Sequence, residues 1–151
     1  TVVLKPSEYT PLSLLRWIEL IDSEVELPAG VINLVIGGGE VGERLTRHPA
    51  IDKVSFTGST GVGRRILHGS ADSNLKRVNL ELGGKSANVV FDDVPDLDFA
   101  VARSFQAMFS QKGEKCSEPT RFLLQRGLHD EFVARLTALA DLASLAGALL
   151  D

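Results

Sequence analysis

Six short runs rich in β-branched and apolar residues, at 1–4, 31–36, 54–57, 77–81, 87–91 and 121–125, set the strongest constraint on how this chain folds. All but one neighbouring pair of them are separated by stretches with helical signals, at 11–21, 41–47, 61–68 and 97–109, and another such stretch follows at 129–142. A strand that reaches its neighbour through a helix returns in the same direction, because a tight hairpin leaves no room for the crossover. Repeated strand–helix order therefore predicts the α/β class, built from parallel β-α-β units. Local signals agree. Pro6 ends the first run, and Thr10-Pro11 places a capping residue before proline at the first helical position. Leu12, Leu15, Trp17, Ile18 and Ile21 predict a helix buried along one face. Leu27-Pro28-Ala29-Gly30 reads as a turn, and Gly37-Gly38-Gly39 ends the second run. The Ala- and Leu-rich stretch from 138 to 150 carries no clear stop signal and no assigned role.

Composition narrows the partners. A chain of 151 residues with 44% hydrophobic content suits one domain with an ordinary core. Acids and bases are interspersed and the net charge is −4, so the clustered positive surface that nucleic-acid phosphates demand is missing. No apolar run reaches the ~18 residues of a membrane span. The single cysteine excludes an internal disulfide and a Cys-rich metal site, and fits a reducing, cytoplasmic compartment. The chain opens on Thr-Val-Val-Leu, inside a strand, and so reads as a piece of something longer or as a gene that starts late.

Several stretches can carry chemistry, each beside a plainer reading. Gly37-Gly38-Gly39-Glu40-Val41-Gly42 fits the glycine spacing of a dinucleotide fingerprint between strand and helix. No acid closes the next strand about 20 residues on, as that fingerprint requires, and a tight turn explains the glycines equally. Phe56-Thr57-Gly58-Ser59-Thr60-Gly61 is a second strand–glycine–helix junction, with Arg64 and Arg65 close behind. Ser59 there is either a hydroxyl donor to a phosphate or an ordinary helix cap. Lys5 and Glu8, at the ligand-binding edge of a parallel sheet, suit ribose hydroxyls or a solvated strand end. Glu81, before Gly83-Gly84, is a general base or a solvated carboxylate. Cys116 is a nucleophile or a small buried hydrophobe. Its neighbours Glu114, Lys115, Ser117 and Glu118 favour an accessible loop, and Lys112 and Lys115 favour a thiolate there, partly cancelled by the acids. His48, His68 and His129 stand at helix ends without metal-ligand spacing, so no metal site is expected.

Together these segments resemble the NAD(P)-dependent aldehyde dehydrogenase superfamily. The residues that carry the resemblance are Val2-Val3-Leu4-Lys5-Pro6-Ser7-Glu8, Leu27-Pro28-Ala29-Gly30-Val31-Ile32-Asn33, Asp52-Lys53-Val54-Ser55-Phe56-Thr57-Gly58-Ser59-Thr60, Leu80-Glu81-Leu82-Gly83-Gly84-Lys85 and Gln111-Lys112-Gly113-Glu114-Lys115-Cys116. They follow the family's order and span residues 1–136. The resemblance implies a Rossmann-like parallel sheet flanked by helices, incomplete relative to the family. It implies Cys116 as the nucleophile that forms a thioester and Glu81 as the base that activates water. It implies Lys5 and Glu8 at the adenosine ribose, Gly39 near the adenine, Phe56, Gly58 and Ser59 near the cofactor phosphates, and Leu82 also in contact with the cofactor. An acid at Glu8 favours NAD over NADP by repelling a 2′-phosphate. On this reading the glycine run at Gly37 is not the pyrophosphate turn it imitates.

Residues 1–112 are then a partial dinucleotide-binding domain, and 113–151 the nucleophile loop and the start of a catalytic domain with an atypical tail. Family members also carry an upstream oxyanion-binding asparagine and a downstream carboxylate at the nicotinamide ribose, neither of which is in this sequence. Three activities are expected in turn: NAD-dependent oxidation of an aldehyde to an acid, cofactor-independent ester or thioester hydrolysis by Cys116, or an inactive self-associating fragment. The expected partners are a small-molecule aldehyde or ester and further copies of the chain, with no nucleic acid and no membrane.

Overall fold

A computed structural model describes residues 1–148, with side-chain surroundings as far as residue 144. Two compact units divide the chain, Thr1–Glu81 and the residues from Leu82 onward. In the first unit, strands β1 (Val2–Leu4) and β2 (Ile32–Leu34) pair in parallel, with Val2 opposite Ile32 and Leu4 opposite Leu34. Helix α1 (Leu12–Glu24) is the crossover between them. Pro11 already has helical dihedrals and its carbonyl accepts from the Leu15 N–H at 3.0 Å, which suits the fixed φ of proline at a helix start. The chain enters β2 through a turn in which Val31 N–H donates to the Pro28 carbonyl at 3.3 Å and Gly30 has φ +79°. A residue with a β-carbon is strained in that conformation, so glycine holds the position.

The apolar spacing of α1 does not give a buried face. None of its residues is buried, and Leu12, Trp17 and Leu20 are 76%, 47% and 44% exposed. Leu14, Leu15, Ile18 and Ile21 form a half-buried stripe instead. Periodicity reports that a helix has an apolar side; it does not supply the layer that covers it.

Helix α2 (Gly39–Arg47), strand β3 (Lys53–Gly58), helix α3 (Thr60–Ala71) and strand β4 (Arg77–Leu82) complete this part, with β3 paired to β4. Half-buried residues alternate with exposed ones along β4, as the two-residue period of a one-sided strand requires. Helices α2 and α3 meet at Gly69, where an added Cβ would stand 2.8 Å from Thr46 Cγ2. Lys76 is buried beneath the same contact, and its ammonium donates to the Thr46 carbonyl and, at 2.8 Å, to Ser73 Oγ. A cation at the carbonyl end of α2 complements the helix dipole.

In the second unit, β5 (Ala87–Val90) and β6 (Arg121–Leu124) are parallel, with Ala87 opposite Arg121 and Val90 opposite Leu124. Helix α4 (Leu97–Phe109) is their crossover, and its first turn is capped by Asp96, whose carboxylate accepts from Phe99 N–H at 2.9 Å. Helix α5 (His129–Ala148) carries the Ala/Leu-rich stretch forward as helix; residues 149–151 lie outside the described residues. Val90, Val101, Leu128 and the fully buried Phe132 form the core on one side of the strand pair. On the other side Val89, Phe91 and Leu123 are more than half exposed. Arg135 of α5 hydrogen-bonds Asp98 of α4 and Glu131, and those bonds, Asp98 first, raise its pKa.

The architecture is thus α/β, with the two parallel ladders each bridged by a helix. The strands are short, and among the described residues they form three two-stranded ladders. Among the described residues no helix is long and apolar enough to cross a membrane.

Candidate active site

Lys5 leaves the end of β1 and crosses to the end of β2. Its ammonium donates to the Gly37 carbonyl at 2.6 Å and to the Pro6 carbonyl at 2.7 Å, and stands 3.9 Å from Glu8 Oε2. Its stem passes Gly42, where an added Cβ would lie 3.7 Å from Lys5 Cε. Lys5, Glu8 and the glycine run at 37–42 are therefore one cluster at the carboxyl edge of the β1–β2 pair, the edge where open α/β sheets bind ligands. Gly39 opens α2 within it, and the space beside its Cα is empty to 4 Å.

The N-termini of α2 and α3 differ in a way the glycine spacing does not show. At α2 the side chain of Glu40 folds back so that its Oε1 accepts from Gly38 N–H at 3.2 Å. A carboxylate thus already holds the position an incoming phosphate would take. At α3 the first turn carries no acid. Ser59 caps it, accepting from Val62 N–H at 3.3 Å, and that acceptor role leaves the hydroxyl proton free to donate outward. Both readings of Ser59 are compatible in one geometry. Gly61 is open on its Cα side, and Arg64 and Arg65 are exposed on the same helix. Gly58 is confined, since an added Cβ would meet Phe56 Cζ at 2.5 Å. The ring of Phe56 therefore lies over the turn because Gly58 has no side chain. By this donor set the N-terminus of α3 is open to an anion and that of α2 is not, and Lys5 and Glu8 present a donor and an acceptor at the strand edge.

Glu81 is the penultimate residue of β4 and is exposed; it closes the first unit, and Leu82, half-buried, opens the second. Gly83 meets nothing, whereas an added Cβ on Gly84 would stand 3.2 Å from the Cys116 carbonyl oxygen. The glycine pair thus leads directly onto the backbone of the cysteine loop. That loop begins where α4 ends, in a 3-10 turn (Ser110–Gly113) with Gln111, Lys112 and Gly113 at φ +49°, +63° and +70°. Two non-glycine residues in the left-handed region store roughly 1–2 kcal/mol each. Such strain persists only where the surrounding structure fixes it, and it concentrates at functional loops. Cys116 follows, exposed.

Glu118 departs from the sequence reading, in which it marked an open loop. Its side chain is only 3% exposed, beside Lys115 Nζ at 3.5 Å. Ser110 Oγ, both Glu118 carboxylate oxygens and Thr120 Oγ1 are buried without a hydrogen-bond partner among the described residues. The opposite charges three residues apart, followed by Pro119, were the available signal for this turn. The Gly84 contact had no comparable signal, because it depends on backbone proximity across 32 residues that spacing does not encode.

Comparison with known proteins gives a consistent result. The aldehyde dehydrogenase family model matches residues 1–147. The NADP/NAD-dependent aldehyde dehydrogenase PuuC of Escherichia coli (strain K12) is 49% identical over 137 residues, which are 90% of this chain and 28% of that protein. The structure of gamma-glutamyl-gamma-aminobutyraldehyde dehydrogenase from Burkholderia cenocepacia J2315 aligns with a TM-score of 0.88 at 48% identity, covering 93% of this chain and 28% of that one. A structure of PnpE in complex with nicotinamide adenine dinucleotide aligns with a TM-score of 0.85 at 48% identity and the same coverage. The chain therefore spans 28% of the length of these relatives.

Proposed function

The chain belongs to the aldehyde dehydrogenase family, and on that premise we propose that it carries the cofactor-binding and nucleophile-bearing part of an NAD-dependent oxidation of an aldehyde to a carboxylic acid. The observation that carries the reading is the exposed Cys116 at the end of a strained loop, its backbone held against Gly84 of the Glu81–Lys85 stretch.

The Cys116 thiolate attacks the aldehyde carbon and forms a C–S bond, and the carbonyl electrons move to oxygen as the thiohemiacetal forms. NAD, when bound, supplies the acceptor for the hydride that leaves that carbon, so that the carbon–oxygen double bond reforms as a thioester. Glu81 then takes a proton from water, the hydroxide adds to the thioester carbon, and the acid departs as the thiolate is released. Lys5 donates to ribose hydroxyls and Glu8 accepts from them, and the Glu8 carboxylate disfavours a 2′-phosphate. Ser59 and the open N-terminal amides of α3 hold phosphate oxygens. By resemblance to the family, Phe56, Gly58, Gly39 and, separately, Leu82 are the further residues assigned to the cofactor.

The test compares the chain with its Cys116→Ser variant, each grafted in place of the matching segment of the Escherichia coli relative, and follows NADH absorbance with an aldehyde. Loss of NADH formation in the serine variant is expected. NADH formation that survives Cys116→Ser removes the nucleophile assignment. Ester cleavage without NAD, measured alongside, separates hydrolysis from oxidation.

A further inference from the structure

Cys116 and Ser117 are the two central residues of a turn that is closed twice. Glu118 N–H donates to the Lys115 carbonyl at 3.2 Å, and the Lys115 ammonium stands 3.5 Å from Glu118 Oε1. The Glu118 carbonyl in turn accepts from Thr120 N–H at 2.9 Å. Glu118 has left water almost completely, yet neither carboxylate oxygen receives a hydrogen bond among the described residues. A buried carboxylate without donors is tolerated only while a cation stays with it. The cation present is Lys115, the residue immediately before the nucleophile. The other charged groups close in sequence are Lys112 and Glu114 on the same loop, and Lys85 follows Gly84, whose added Cβ would stand 3.2 Å from the Cys116 carbonyl oxygen. All three are exposed and solvent-screened; Glu118 alone is buried.

We propose that Lys115 and Glu118 form a charge clamp across the nucleophile turn, in which Glu118 sets how much of the lysine's positive field reaches the Cys116 sulfur. Glu118 is a positioning residue in this scheme and touches no reacting atom. The inference rests on Cys116 being the nucleophile. It makes the two partners act in opposite directions. Glu118→Gln removes the anion at nearly constant shape and frees the lysine's charge, which favours the anionic sulfur. Lys115→Met removes the cation that immediately precedes the thiol in the chain, which disfavours the anionic sulfur. A pair that only staples the turn would give changes of one sign, since either substitution opens the same turn.

The measurement is the rate of Cys116 alkylation by iodoacetamide at neutral pH in the 151-residue chain, with circular dichroism to confirm folding. Glu118→Gln is expected to raise the rate and Lys115→Met to lower it, each by about threefold, with the double variant returning near the parent. Lys115→Arg keeps the charge and should keep the parent rate, so the Lys115 pair decides the matter if Glu118→Gln fails to fold. Singles that move together or not at all, or a Lys115→Arg rate as low as that of Lys115→Met, overturn the clamp. Alkylation needs no aldehyde turnover, so that failure stands apart from oxidation surviving Cys116→Ser, which would overturn the nucleophile instead.

Discussion

Lys5→Met isolates the part of the cofactor site whose geometry is best defined. Methionine keeps the length and the apolar stem that runs past Gly42, and removes only the ammonium with its bonds to Gly37 and Pro6 carbonyls. Bonds from a charged donor contribute about 1.5–3 kcal/mol when well buried. Lys5 is 20% exposed, and water replaces part of what is lost, so roughly 1 kcal/mol for each bond is the appropriate scale. The Glu8 pair at 3.9 Å is exposed on its acidic side and adds little. A total of about 2 kcal/mol corresponds to a fall of roughly 10 °C in the melting temperature of a unit this size. Bound NAD adds a second loss. If the same ammonium donates to a ribose hydroxyl, removing it weakens NAD by about tenfold, equivalent to ~1.4 kcal/mol. Thermal melts followed by circular dichroism and titration calorimetry with NAD read the two effects separately, at a temperature where the variant is folded. A variant that melts lower yet binds NAD as the parent does would leave Lys5 as a structural tie between β1 and β2 and remove it from the cofactor site.

Gly84→Ala pushes a methyl group to 3.2 Å from the Cys116 carbonyl, so the nucleophile loop must yield by a few tenths of an ångström. Acylation of Cys116 should slow by about tenfold with little change in melting temperature, because misplacement of a reacting group is felt far more in rate than in stability; equal rates would show that the loop absorbs the methyl freely. Leu75, 78% exposed at φ +55°, is strained without burying anything. Leu75→Asn keeps the backbone bond from residue 75 to the Ser70 carbonyl and should stabilise the chain by about 0.5–1 kcal/mol in urea titration. A lower unfolding midpoint would contradict the strain.

The sequence made the crossovers legible because their signals are local. The stretch at 97–109 reads as a helix, and the structure has the same limits, with Asp96 as its cap. The turn at Gly30 and the Ser59 junction were equally local, each fixed by one residue's conformation or hydroxyl. Burial was not local. On α1 the sequence signal holds for Leu15, Ile18 and Ile21, which are half-buried, and not for Leu12 and Trp17, which are exposed, since the covering layer is a property of other residues. Glu118 departs in the opposite sense: a charged residue in a polar loop reads as solvated, yet its side chain is 3% exposed, with Lys115 Nζ at 3.5 Å. The glycine run at Gly37 had the spacing of a phosphate turn, and it took the position of the Glu40 carboxylate to show that the anion site there is already filled from within. Chemistry at Cys116 was suggested by residue type and neighbours, and became specific only through the order of five separated segments.

The most direct test is to trap the intermediate. The grafted protein is mixed with an aldehyde and NAD, quenched in acid, and its peptides are mapped by mass. An acyl group on the peptide that contains Cys116, dependent on NAD and absent from Cys116→Ser, is the expected result. NADH accumulating with Cys116 unmodified, or an acyl group on another residue, would contradict a thioester at Cys116.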